Sequence, residues 1–132
     1  MTVERWFNNA KTAAMIGSGV KKGSYRLGSV IVKGKTIVSV GTNSYKTHPL
    51  LTRVTQYPYL HAEQQALFRY GLDNCEGLSL YVCRIYKDNR FALSKPCKTC
   101  YNFIKIAGIK KVYYTLDCSS SEKGIRYEYY KF

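Results

Sequence analysis

Acidic residues are scarce in this chain, eight Asp and Glu among 132 residues against 21 Lys and Arg, which leaves a formal net charge of +13. The basic residues run from Arg5 to Lys131 with only short pairs such as Lys21-Lys22 and Lys110-Lys111, so there is no basic tail and the charge belongs to a folded surface. Such a surface attracts polyphosphates, or serves solubility alone. Long apolar runs are also missing, which excludes a membrane-spanning helix. The opening Met1-Thr2-Val3-Glu4-Arg5-Trp6 lacks the basic start and apolar stretch of a secretory signal, so a cytoplasmic, reducing setting is expected. Internal repeats and low-complexity tracts are absent, which excludes a solenoid. Cysteine is present five times, an odd count, and a fully paired disulfide framework is therefore excluded.

What is present fits one domain over residues 1–132, with 45% hydrophobic residues and length enough for a three-layer core. Val3, Trp6, Phe7, Ala10, Ala13, Ala14 and Gly17 fall at helical spacing, with Thr2 as N-cap and Gly17 as stop. Two β-rich runs, Tyr25 to Val32 and Thr36 to Thr42, flank Lys33-Gly34-Lys35 and read as a hairpin. Asn43 to Leu60 is polar and aperiodic, carries Pro49 and Pro58, and has the length of a functional loop. Ala62, Ala66, Leu67 and Tyr70 mark a second helix that ends at Gly71. Leu78 to Tyr86 is a third strand, and Lys87-Asp88-Asn89-Arg90 a turn. Cys97, Cys100, Ile104 and Ala107 share one face of a third helix closed by Gly108, with Pro96 placed in its first turn. Val112 to Thr115 and Ile125 to Lys131 are strands four and five. The segment between them is too short for a parallel crossover, so they should pair as an antiparallel hairpin.

The chemistry concentrates in two short motifs. His61-Ala62-Glu63 opens the second helix, and Pro96-Cys97-Lys98-Thr99-Cys100 opens the third. Catalytic zinc takes three protein ligands and keeps a fourth position for water, and His61, Cys97 and Cys100 supply three. A helix N-terminus favours thiolate over thiol, which suits Cys97 and Cys100 to a metal. Glu63 is two residues from His61, nearly opposite it on an ideal helix, so both reach one pocket only from an irregular first turn. That makes Glu63 an acid-base group beside the metal and not a ligand. Taken singly, a Cys-x-x-Cys pair reads equally as a redox motif. Of the other thiols, Cys83 reads as a core residue, and Cys75 and Cys118 as free loop cysteines.

Together these motifs resemble the zinc-dependent cytidine and deoxycytidylate deaminase superfamily, over about Gly28 to Thr115. The resemblance implies a cytidine-deaminase-like α/β fold of three layers, helices on both faces of a five-stranded mixed sheet, and one zinc per chain. It also implies that activated water adds to the ring carbon bearing the amine, while Glu63 protonates the ring nitrogen and then the departing ammonia. Asn43 stands where the family places an asparagine that contacts the substrate sugar, and reads equally as a plain loop residue. Ala62, Lys95 and Pro96 are the further substrate-binding candidates. Tyr57 and Tyr59 could wall the pocket and stack on a base, and His48 could meet a phosphate or cap its loop. Lys46-Thr47-His48-Pro49 and Leu93-Ser94-Lys95-Pro96 resemble short phage and prophage members, and an antiparallel fifth strand resembles free-nucleoside and toxin deaminases.

The preferred substrate is cytosine in a DNA or RNA strand, on the strength of the charge. A cytosine nucleotide or nucleoside, deoxycytidylate or cytidine, is the alternative. Adenine as the target base, and a non-catalytic zinc-stabilised nucleic-acid binder, remain as further readings.

Overall fold

The computed structural model describes residues 2–16, 26–43, 61–86, 90–117 and 125–132. Its β-branched and aromatic runs form strands β1 (Arg26–Lys33), β2 (Thr36–Thr42), β3 (Ser79–Ile85), β4 (Phe91–Ala92), β5 (Lys111–Thr115) and β6 (Tyr127–Lys131). These build one sheet in the order β2-β1-β3-β5-β6, with β4 paired to β3 beside that path. Among the described strands only β3 and β5 run parallel, and the connection between them carries a helix, as a parallel crossover requires. The short segment before β6 leaves only an antiparallel return, and Lys111 pairs with Lys131 and Thr115 with Tyr127 as the sequence led us to expect.

The α-helices among the described residues are α1 (Thr2–Ile16), α2 (Ala62–Tyr70) and α3 (Lys98–Ile106). Alternation along β1 divides the core between two faces. Val30 and Val32 pack with Phe7, Ala10 and Ala14 of α1, whereas Ile31 packs with Ala66 and Leu67 of α2 and Ile104 of α3. The result is the three-layer α/β/α arrangement. None of the described helices is long and apolar enough to cross a membrane.

Two glycines set how closely helices lie on the sheet. A Cβ at Gly28 would fall on the Ala10 carbonyl oxygen of α1, and one at Gly41 on the Ala62 carbonyl oxygen of α2. The missing side chains therefore let backbone rest on backbone on both faces.

Three details differ from the sequence reading. The sheet has a sixth strand, the two-residue β4, which pairs Arg84 with Ala92 and Ile85 with Phe91. Thr2 already lies within α1 instead of capping it. Pro96 precedes the third helix, because Cys97 takes the N-cap position and the helix starts at Lys98. Cys75 is a free thiol in the connection after a 3-10 turn, as read from the sequence; it is fully buried there and donates to the Gly71 carbonyl at 3.2 Å. Gly17, His48, Tyr57, Tyr59 and Cys118 lie outside the described residues.

Candidate active site

Two helix N-termini meet on the face opposite α1. His61 is the N-cap of α2, with extended backbone at φ −84° and ψ 161°, so its side chain leaves the helical spiral before the first turn begins. This departure resolves the spacing problem: His61 and Glu63 need not point apart as they would on an ideal helix. Gln64 holds the cap by accepting the His61 backbone N–H at 2.9 Å.

The sheet fixes the same turn from below. The Ser29 hydroxyl donates to the Ala62 carbonyl and the Ser39 hydroxyl to the Ala66 carbonyl, each at 2.7 Å, while Gln65 Oε1 accepts the Thr42 backbone N–H at 2.9 Å. All three polar side chains are buried and used to place one helix. Sequence reasoning missed them; their only signal was polar residues at inward positions of apolar strands and of a helix face.

Cys97 caps α3, and its sulfur accepts the Cys100 backbone N–H at 3.4 Å. The approach to this cap is held by a second buried polar group. Ser94 Oγ donates to the Val82 carbonyl at 2.9 Å and accepts the Thr115 N–H at 2.8 Å, and the Thr115 hydroxyl donates to the Ala92 carbonyl at 2.7 Å. Ser94 thus ties the segment leading to Pro96 and Cys97 to the middle of β3 and the end of β5.

These elements bring the ligating atoms of His61, Cys97 and Cys100 within 4.8 Å of one another. His61 Nδ1 lies 3.1 Å from Cys100 Sγ and 3.6 Å from Cys97 Sγ, so Nδ1 is the nitrogen that faces both sulfurs. A tetrahedral zinc with bonds of about 2.05 Å to nitrogen and about 2.3 Å to sulfur would separate them by about 3.6 Å. The donor set and its spacing fit one zinc per chain. Cys100 is fully buried and Cys97 is exposed, which leaves the metal position open on one side.

Without metal, the three side chains share protons. The Cys97 thiol is pulled down to about 4, chiefly by the Cys100 thiol, with burial opposing and His61 assisting. Cys100 is pushed well above the usual thiol value by the same hydrogen bond and by burial. His61 is raised, chiefly through its hydrogen bond to Cys97. A cation bound here would take the place of those protons.

Glu63 completes the pocket. It is 3% exposed, and its Oε1 has no hydrogen-bond partner among the described residues. Burial pushes its carboxyl above the ordinary carboxylate range, while its own backbone N–H and His61 pull the other way. A buried carboxylate oxygen left without a partner beside three metal-binding side chains calls for a polar ligand between them.

The sequence matches the family model described as the cytidine and deoxycytidylate deaminase zinc-binding region over residues 1–116. The chain belongs to that deaminase family. An uncharacterized deaminase of Aliivibrio fischeri, encoded in the luxG 3′ region, is 33% identical over 107 residues, covering 76% of this chain and 65% of the relative. The chain thus spans slightly less than two thirds of that relative's length. The dCMP deaminase of cyanophage S-TIM5 is 25% identical with a TM-score of 0.60, covering 86% of this chain and 82% of that one. The cytidine deaminase of Burkholderia pseudomallei shares the fold at a TM-score of 0.63 and 16% identity, covering 99% and 93%.

The remaining candidates lie in different parts of the fold. Ala62 is buried between the two motif residues, its carbonyl engaged by Ser29. Asn43 follows β2 two residues beyond Gly41, at the end of the sheet where α2 begins. Its Oδ1 accepts the Leu27 N–H at 3.0 Å, so part of the side chain closes the β1–β2 end. Pro96 is buried against the site, and Lys95 is exposed with its Nζ 5.8 Å from the Tyr130 ring centroid.

Proposed function

We propose that this chain hydrolyses cytosine to uracil and ammonia, with the cytosine carried in a nucleic-acid strand. The observation that carries the reaction is the buried Oε1 of Glu63, without a partner among the described residues, beside His61, Cys97 and Cys100. Zinc held by those three residues supplies acidity, lowering the pKa of water at the open position to about 7.

The protein's own residues then have distinct tasks. Glu63 accepts a proton from the attacking water, and burial, which favours its protonated form, equips it to pass that proton to the ring nitrogen. A second transfer through the same carboxyl lets the amine leave as ammonia, so one side chain carries both protons and the sum is cytosine plus water to uracil plus ammonia. Ser29, Ser39 and Gln65 hold the helix start that carries His61 and Glu63, and Ser94 holds the approach to Cys97, which keeps base, nucleophile and ring in register. Ala62 and Pro96 form walls of this pocket, and Asn43 meets the sugar. Tyr57 and Tyr59 stack on the base.

The strand is supported by the net charge of +13, and by Lys95 and Lys98, both exposed, which bracket Cys97 at the open side. A strand must be unpaired, or its base flipped out, to enter. Free deoxycytidylate is the second reading, favoured by the 25% identity to the cyanophage dCMP deaminase. A side-by-side assay of cytidine, deoxycytidylate, single-stranded DNA, duplex DNA and RNA tests both. Uracil should appear in single strands at low salt, faster than in duplex. Ammonia from deoxycytidylate with no uracil in any strand would transfer the activity to the monomer, and inert cytosine in every form would remove the reaction.

A further inference from the structure

The seam between α3 and β6 holds a group of rings that the reaction does not use. Tyr130 stands edge-on to Tyr101 at 5.5 Å and tilted against Tyr114 at 5.4 Å, and Phe132 lies 5.2 Å from Tyr101 and 6.3 Å from Tyr130. Tyr114 is buried and closes the floor, whereas Phe132 is 40% exposed and Tyr101 and Tyr130 are half-buried, so ring surface remains open to solvent.

The seam is continuous with the metal position. Tyr101 directly follows Cys100, which puts their α-carbons about 3.8 Å apart. Lys95, two residues before Cys97, reaches Tyr130 with its ammonium. From Glu128 to Phe132 the strand advances about 13 Å away from the Thr115 end, where Ser94 is clamped. The acidic group along this face, Glu128, is engaged by the Tyr114 hydroxyl at 2.9 Å.

We propose that this seam is the track for bases flanking the target cytosine in single-stranded nucleic acid. The proposal rests on the cytosine-deaminase reading in its strand form and says where the strand lies. Ring faces bind unpaired bases without reading their sequence, and lysines beside them take the backbone phosphates. The net charge of +13 favours a polyanionic strand as the occupant of this face. A duplex is a poor occupant, since its bases are already stacked and its edges are turned inward.

The test uses zinc-loaded protein carrying Glu63→Gln, so that binding is read without turnover, and a fluorescein-labelled single-stranded oligonucleotide followed by anisotropy. Phe132→Ala and Tyr130→Leu should each weaken binding by about tenfold. Tyr130→Leu keeps an apolar side chain in the seam, and circular dichroism checks that both variants fold. Lys95→Ala should lower the slope of log affinity against log salt by about one, and Lys35→Ala, in the β1–β2 turn at the opposite edge of the sheet, should leave it unchanged. Ring variants that bind like the parent, equal effects of Lys95→Ala and Lys35→Ala, or a duplex bound as tightly as a single strand would each overturn the track. The same oligonucleotide bound through this seam by a protein whose parent deaminates nothing would leave the track standing and remove the reaction, so the two failures separate.

Discussion

Glu63→Gln should abolish measurable turnover, a loss of at least about 10⁴-fold, while zinc remains bound at one per chain. General acid-base groups contribute about 10²–10⁴-fold each, and this carboxyl serves two proton transfers in one cycle. Retention of zinc follows from the ligand set, which is complete in His61, Cys97 and Cys100 without the carboxylate. The melting temperature should hold or rise, because the substitution keeps the side chain's shape and removes a buried ionisable group whose Oε1 has no partner among the described residues. Turnover by colorimetric ammonia release, metal content by mass spectrometry and a thermal melt read the three parts separately. A variant as active as the parent would contradict the role given to Glu63, and loss of zinc with activity would make the carboxylate a ligand instead.

Gly41→Ala should both destabilise the protein and inactivate it. The added Cβ would fall on the Ala62 carbonyl oxygen and lie 2.7 Å from the Ala66 backbone nitrogen, and neither atom can rotate aside. Relief requires α2 to lift from the sheet, which stretches the bonds from Ser29, Ser39 and Thr42 and moves His61 and Glu63 with the helix. Overpacking of this kind costs about 3 kcal/mol, a fall in melting temperature of about 10 °C for a chain of this size. Gly28→Ala supplies the internal comparison. Its clash is with Ala10 and Ala14 of α1, on the face away from the metal position, so a similar loss of stability should leave turnover per folded molecule near the parent value at low temperature. Equal activity losses in the two variants would mean that α2 placement does not govern the site.

The metal-binding motif was legible because its geometry is local. A histidine and glutamate two apart, and cysteines three apart after a proline, carry their chemistry in a few residues whatever the rest of the chain does. The β5–β6 hairpin was legible for a different reason, since the length of the connection excluded a parallel return. Strand β4 was not, because two residues have no periodicity and Phe91–Ala92 becomes a strand only by pairing with Arg84 and Ile85. Pro96 was misplaced by one position because the Cys97 sulfur, and not a hydroxyl or carboxylate, accepts the capping N–H. The clamp of Ser94 on Thr115 joins residues 21 apart, and the glycines at 28 and 41 matter through helices far from them in sequence. Such contacts exist only in the assembled fold. The tyrosine-rich segment Ile125 to Lys131 was legible only as a strand, and it is the alignment of Tyr130 with Tyr101, Phe132 and Lys95 that distinguishes it.

The central claim, that His61, Cys97, Cys100 and Glu63 form one hydrolytic centre for cytosine, is tested most directly by titrating metal-free protein with zinc. Uracil formation from a single-stranded cytosine oligonucleotide and from deoxycytidylate is followed at each addition. The account predicts that turnover rises in proportion to zinc and stops rising at one equivalent per chain. Protein that takes up its full equivalent of zinc and leaves both substrates unchanged would contradict it.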